Sequence, residues 1–384
     1  MSLSDHLISR LRKIDWDFPG SPSESPFSAL HWHPARFASQ VPASLIGLLS
    51  KPGELVLDPF LGSGTALVEA QRLGRKSIGV DLNPVACLIA RAKTISSPLK
   101  RIERTINHLD RDAQICLERS VFGRSRDSEI PSTVQSKWYT KRVLEDLGSL
   151  WSLIASYSGL HETISKAAFS AILLPVCRET RHWGYVCDNS TPQGSYERDV
   201  LSEYCKVLKK LRAAYSERET DRIAMLGSRA KIASATIHCG DARDILGRIA
   251  AESVDLVVTS PPYFGVSDYV KSQRLSMEWF GIDIEPLRLK EIGARSKRHR
   301  SRAADEYLSE LGGVFTSIGI CLRKGGLCVV IVGESSKRDS LLIRVLGQLL
   351  LCGMKSELDL NRRVSSLRRQ IPSITGEHLL VLSK

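Results

Sequence analysis

The sequence predicts an α/β fold: a doubly wound parallel sheet with a long helical insertion. Three observations carry the prediction. ELVLD, PFLGSGT, ALVEAQRLG and SIGVD (54–81) read as strand, glycine loop, helix and strand, with Asn83-Pro84 opening a further helix. A second all-apolar run, SVDLVVT (253–259), ends in a proline-stiffened loop. Between these halves lies a stretch that is charged, rich in helix formers and poor in β runs.

Residues 1–30 read as a loosely ordered lead-in, since SPSESPF (21–27) favours loop. VPASLIGLLS (41–50) is an amphipathic helix stopped by Lys51-Pro52-Gly53, and the helix after the glycine loop closes at Gly74. Over 101–232, VLEDLGSLWSLIASY, SKAAFSAILLPV and RDVLSEYCKVLKKLRAAY each space apolar positions by three or four, and the polar island Arg181–Gly194 breaks the pattern as a loop. The α/β pattern then resumes. Strands are expected at 54–58, 77–81, 235–239, 254–259, 327–332 and 378–383.

Composition sets the bounds. The 384 residues suffice for a core plus a substrate-reading part, with 42% hydrophobic and 25% charged residues. A net charge of +12 suits a polyanionic partner such as nucleic acid. The start has no apolar signal-peptide run and no stretch reaches the ~18 apolar residues that span a bilayer, so no membrane role and a cytoplasmic location are expected. The nine cysteines are scattered without a C-x-x-C pair, which fits reduced thiols rather than a zinc knuckle or disulfide framework. His31-x-His33 lacks a nearby third ligand, so no metal is expected.

Two loops carry chemistry. In Asp58-Pro59-Phe60-Leu61-Gly62-Ser63-Gly64-Thr65, small residues let the backbone approach a ligand and free the N–H groups of the next helix. The third glycine of a dinucleotide fingerprint is absent, Leu67 standing there, and no Gly-Lys-Ser/Thr follows. Asp81 ends the second strand, where a carboxylate can accept both ribose hydroxyls of a nucleoside cofactor. Ser260-Pro261-Pro262-Tyr263 follows its strand directly, at the carboxyl end where ligands bind in open α/β sheets.

Together these loops resemble the amino-methyltransferases of DNA, which make N4-methylcytosine or N6-methyladenine. PGELVLDPFLGSGTALVEAQRLGRKSIGVDLNPVACLIARAK looks like the cofactor half, HWHPARF (31–37) like the segment before it, and TIHCGDARDILGRIAAESVDLVVTSPPYFGVSDY like the catalytic half. The resemblance implies a Rossmann-like, S-adenosylmethionine-dependent core: cofactor half at 31–100, helical insertion and candidate target-recognition lobe at 101–232, catalytic half at 233–384. Many cytosine-N4 relatives run in the other order, which leaves the three-dimensional site unchanged. The resemblance also implies a cofactor site of Phe37, Asp58, Pro59, Phe60, Gly62, Ser63, Gly64, Thr65, Asp81, Leu82, Asn83, Asp241 and Ala242, with Asp81 on the ribose and Asp241 beside the adenine. Ser260, Pro261, Pro262 and Tyr263 would form the catalytic pocket.

A base amino nitrogen is a poor nucleophile because its lone pair is delocalised. Acceptors at Ser260 Oγ and the Pro261 carbonyl would draw the nitrogen toward a tetrahedral form, and it would then attack the sulfonium methyl in line. Tyr263 would stack on a base flipped out of double-stranded DNA. In the family it resembles, the first position of the tetrapeptide tends to be serine in cytosine-N4 enzymes and aspartate or asparagine in adenine-N6 enzymes, so cytosine is expected, in a restriction-modification or defence setting with a cognate restriction endonuclease as partner and the nucleoid as the place of action. An adenine-N6 enzyme, an RNA or protein methyltransferase, and a catalytically inactive DNA-binding protein are the alternatives.

Weaker features remain. Pro286–Ala303 holds seven Lys or Arg residues and one acid, and reads as a DNA-ordered loop with Arg295, Lys297, Arg298, Arg300 and Arg302 on phosphates. The Arg181–Gly194 island has a base-reading mix, or is an inter-helix loop; Asp268-Tyr269 supports the pocket wall or caps the next helix.

Overall fold

The computed structural model describes residues 3–19, 27, 30–31, 38–121, 130–178, 192, 194, 197–334, 339–363 and 376–384. The elements run α1 (Asp5–Arg12), α2 (Gln40–Leu49), β1 (Leu55–Asp58), α3 (Thr65–Arg72), β2 (Lys76–Asp81), α4 (Pro84–Lys93), α5 (Leu99–Val121), α6 (Lys141–Ala155), α7 (Gly159–Leu173), α8 (Val200–Leu226), β3 (Ala235–Cys239), α9 (Ala242–Ile245), β4 (Val254–Thr259), α10 (Tyr269–Ser272), α11 (Arg274–Trp279), α12 (Glu285–Lys290), α13 (Ala303–Cys321), β5 (Leu322–Glu334), α14 (Asp339–Leu351), β6 (Lys355–Arg363) and β7 (Gly376–Ser383).

The sheet order is β3-β2-β1-β4-β5-β7-β6. Strands β1 to β5 pair in parallel, and β7 pairs antiparallel with both β5 and β6. Removing β7 leaves the 3-2-1-4-5-6 order of a doubly wound sheet, so the fold is Rossmann-like with one reversed strand wedged in. The order reverses between β1 and β4, and the two chemical loops leave the carboxyl ends of those two strands.

Helices cover both faces, which is why the strands read as unbroken apolar runs. On β4, Val254 and Val257 join one core with α13 and α14 residues, while Leu256 and Val258 join the core on the opposite face with Val41, Leu45 and Ile46 of α2. Two strands differ from the sequence reading. β5 is longer than the expected 327–332, and β6 was not anticipated, because only Leu358 and Leu360 of its alternating pattern are buried at the sheet edge.

The insertion forms α5 to α8, with Leu109, Leu147, Leu150, Phe169, Ile172 and Leu211 fully or almost fully buried in a common core. It docks on α3 and α4 through polar anchors. The Tyr215 hydroxyl donates to the Ala92 carbonyl, and Arg218 donates to Gln71 Oε1 (2.7 Å), the Lys93 carbonyl (3.1 Å) and the Ile95 carbonyl (2.8 Å). The island at 181–194 and the segment at 32–37 fall outside the described residues apart from positions 192 and 194.

Candidate active site

The glycine loop turns sharply because Gly64, the residue before α3, is left-handed (φ 83°), and a Cβ there would stand 2.8 Å from the Ala90 Cβ. The third glycine absent at Leu67 has a counterpart across the contact. Gly79 of β2 lies under Leu61 and Leu67, where a Cβ would come within 2.6 and 2.9 Å of them. Helix α3 and its loop can therefore lie close to the sheet although Leu67 is large.

Beside this loop lies a cavity lined by Pro59, Phe60, Gly62, Ser63, Thr65, Asp81, Leu82, Asn83, Asp241 and Ala242, and by Ser260, Pro261, Pro262 and Tyr263. The two loops thus share one space although about 200 residues separate them. Asp58 and Gly64 are not in its wall. Asp58, 1% exposed, lies beneath, accepting from Thr259 Oγ1 (2.7 Å) and the Phe60 amide (3.2 Å). It thereby ties the end of β1 to the end of β4. Phe37 falls outside the described residues.

Asp81 accepts from the Gly62 amide (2.7 Å, Oδ2) and the Asn83 amide (2.8 Å, Oδ1), which fixes its carboxylate at the edge of the cavity. Burial raises its pKa to about 6 against the pull of those two amides. Burial likewise raises Asp58 to about 7, with the negative charge of Asp81 adding to it. For Asp241 burial acts upward too, but paired bonds from Arg243 (Nε 2.9 Å, Nη2 2.5 Å) outweigh it and hold the carboxyl below its ordinary range.

The tetrapeptide is held from three sides. Ser260 Oγ lies 3.2 Å from the Ile331 carbonyl and 3.3 Å from the Tyr263 hydroxyl. Tyr263 donates to Glu377 Oε1 of β7 (3.0 Å), and Tyr307 of α13 donates to the Pro262 carbonyl (3.0 Å). With the Tyr263 proton on Glu377, the proton of Ser260 goes to Ile331 or to the Tyr263 oxygen, and the serine oxygen is left with lone pairs to present as an acceptor. Burial, with Glu377 adding to it, pushes the Tyr263 phenol up, so it stays protonated at neutral pH.

Sequence reasoning did not single out Lys290, Glu291 and Ile292, which also line the cavity, nor Glu377 and Tyr307 behind it. The signal for Glu291 was present: it is the one acid in the basic run 286–303. Tyr269 lines the cavity, whereas Asp268 makes no cap bond and accepts instead from the Ser296 amide and hydroxyl (2.9 and 2.8 Å). The basic run is not loop throughout, since its start lies in the short helix α12, with Pro286 in the first turn. Arg295, Arg298, Arg300 and Arg302 are exposed, while Lys297 turns inward and donates to the Leu289 and Glu291 carbonyls (2.8 and 2.6 Å). His31 is buried against Ser170 Oγ (2.8 Å), and His33 falls outside the described residues. Among the described residues no cluster of three metal-ligating side chains occurs, and no helix is long and apolar enough to cross a membrane.

Two buried polar atoms at the cavity make no hydrogen bond among the described residues: Ser63 Oγ and Glu291 Oε2. Together with the glycine turn, the Asp81 carboxylate and the apolar Leu82, Ala242 and Ile292, they fit a nucleoside cofactor carrying both charge and an aromatic base.

Residues 10–92 match the model of a family described as DNA methylase. The chain is 22% identical to the Type II methyltransferase M.MjaII of Methanocaldococcus jannaschii, over 84% of this chain and 76% of that one. It is 25% identical to the Type II methyltransferase M.MvaI of Kocuria varians, over 73% of this chain and 64% of that one. Among solved structures it matches TrmN from Thermus thermophilus at 15% identity and a TM-score of 0.34, covering 91% of this chain and 49% of that one. The chain thus spans 49% to 76% of the length of these three proteins.

Proposed function

We propose that the chain is an S-adenosylmethionine-dependent amino-methyltransferase of DNA, the family whose model its residues 10–92 match, and that it methylates the exocyclic N4 of cytosine in double-stranded DNA. One observation carries the reading: the Ser260–Tyr263 loop and the Gly62–Thr65 loop open into the same cavity. S-adenosylmethionine, when bound, supplies an electrophilic methyl group on a sulfonium.

This chain's own residues do the rest. Asp81, fixed by two backbone amides, offers acceptors to ribose hydroxyls. Leu82, Ala242 and Ile292 supply apolar walls for the adenine. Ser260 presents an acceptor to a hydrogen of the target amino group, and the carbonyl of Pro261 is the second acceptor of the loop. With the Pro262 carbonyl engaged by Tyr307, the loop is rigid before substrate arrives, so little reorganisation accompanies the reaction. Tyr263 offers a ring face to the flipped base.

Cytosine is favoured by the serine at position 260, and duplex DNA by the four exposed arginines at 295–302, a few residues along the chain from the cavity residues Lys290–Ile292. The Type II label on two relatives is in line with a restriction-modification setting, and a cognate endonuclease as partner and the cytoplasm as the site of action belong to the same proposal. Mass spectrometry of nucleosides, after purified protein and S-adenosylmethionine act on duplex DNA, tests the reading. N4-methylcytosine is expected; N6-methyladenine would overturn the choice of base, and methylation of tRNA alone the choice of substrate.

A further inference from the structure

We propose that Glu291 is a ligand of the cofactor, whose Oε2 takes a hydrogen of bound S-adenosylmethionine and whose charge makes the cavity prefer that cation to its product, S-adenosylhomocysteine. The inference rests on the cofactor assignment above and adds to it a residue and a selectivity.

Three carboxylates stand in the cavity wall, and two have their oxygens engaged. Asp81 holds the Gly62 and Asn83 amides, and Asp241 holds Arg243. Glu291 is 5% exposed; its Oε1 takes the Tyr269 amide, the Val270 amide also faces the carboxyl, and Oε2 is buried and makes no hydrogen bond among the described residues. A buried carboxyl oxygen without a partner carries an uncompensated desolvation cost, and a donor on a ligand in the same cavity removes that cost once the group ionises.

The position is apt. On one wall, Ile292 packs in the core that holds Ala242, Phe60 and Tyr307, and the Lys290 carbonyl takes Arg243 Nη2 (3.3 Å). On the other wall, the Tyr269 carbonyl takes Asn83 Nδ2 (3.4 Å), next to the Asp81 turn. Glu291 thus ties the segment that carries Ile292 to Tyr269, whose carbonyl in turn meets Asn83 beside Asp81.

The electrostatics point the same way. Burial raises the Glu291 pKa to about 8, and Asp268 adds to it, against the Tyr269 and Val270 amides and the Lys297 ammonium. A group poised there ionises when a cation arrives. S-adenosylmethionine carries one net positive charge at neutral pH, and the product, a neutral sulfide, carries none. An ionised carboxylate in a desolvated cavity therefore binds the first more tightly than the second.

The test is calorimetric binding of both molecules to the full chain and to Glu291→Gln, which keeps an acceptor for the Tyr269 amide and removes the charge. S-adenosylmethionine should bind about tenfold more weakly to the variant, and S-adenosylhomocysteine within about threefold of the wild type. Equal losses for both molecules, or no loss for either, would overturn the proposal. Should the variant melt well below the wild type, the unmutated protein still decides: near neutral pH, S-adenosylmethionine should release more protons on binding than S-adenosylhomocysteine, and equal release overturns the idea. A wild-type protein that binds neither molecule refutes the cofactor reading itself and this proposal with it.

Discussion

Ser260 and Asp81 line the same cavity, and their bonds suit them to different tasks. Ser260 gives its proton to the protein, and in the proposed reaction its lone pairs would matter most as the target nitrogen changes shape. Ser260→Ala should therefore lower the methylation rate by roughly 10²–10³-fold while leaving the affinity for S-adenosylmethionine within about twofold. Asp81→Ala should do the reverse, weakening the cofactor by about tenfold or more with a smaller effect on the rate at saturation. Equal effects of both changes on both readouts would contradict the division. Titration adds a second residue-scale test. Burial raises Asp81 to about 6, Asp58 to about 7 and Glu291 to about 8 in the ligand-free protein. Carboxyls raised in this way favour the folded state at low pH, and that contribution fades as pH climbs through their folded values. A cationic cofactor lowers the same pKa values, so protons leave on binding and affinity rises with pH. Melting temperature without ligand should fall between about pH 5 and pH 8, and the affinity for S-adenosylmethionine should increase over that interval. A flat affinity profile would mean that none of the three feels the cofactor's charge.

Helix α8 shows how a whole element is fastened by a few polar contacts. Arg218 is 7% exposed, satisfies Gln71 and the carbonyls of Lys93 and Ile95, and lies over the Tyr215 and Phe27 rings. Its removal leaves those buried acceptors without a donor, so Arg218→Ala should cost about 3 kcal/mol or more in urea unfolding. A loss under about 1 kcal/mol would show that the lobe is held by its apolar core alone. The same element scale explains what the sequence could tell. Buried parallel strands such as β1 and β4 are apolar on both faces, and α6, α7 and α8 repeat apolar residues by threes and fours, so both patterns are written in local order. Strand β6 has no such run, because an edge strand needs few buried residues and carries charges that discourage further pairing. Most of the cavity wall was legible for the same reason: Gly62, Asp81 and the Ser260 tetrapeptide belong to local motifs. Glu291, Tyr307 and Glu377 were not, since each acts on a loop brought to it only by tertiary structure. Gly79 is a related case, because its smallness serves Leu61 and Leu67 on the facing loop and helix rather than its own strand.

At the scale of the whole molecule, charge and sheet order set the behaviour. The +12 net charge has an exposed local concentration at Arg295, Arg298, Arg300 and Arg302, although Arg300 also pairs with Glu306 at 3.6 Å. Changing Arg298 and Arg302 together to Ala should weaken duplex DNA binding across sequences and lower the slope of log affinity against log salt by about 2, with cofactor binding unchanged. An unaltered slope would move the phosphate contacts elsewhere. The wedge of β7 carries a further consequence, one of biosynthetic timing. Tyr263 is positioned by Glu377, which faces Arg362 of β6 at 3.0 Å, and both residues lie far along the chain from the glycine loop. On the ribosome the cofactor loop and the tetrapeptide emerge first, and until residues 376–383 follow, β5 has no partner on that side. The nascent chain is thus able to fold its glycine turn well before the tetrapeptide acquires its final anchor, so a polypeptide cut short before Gly376 would retain the cofactor loop and lack the strand that holds Tyr263 in place.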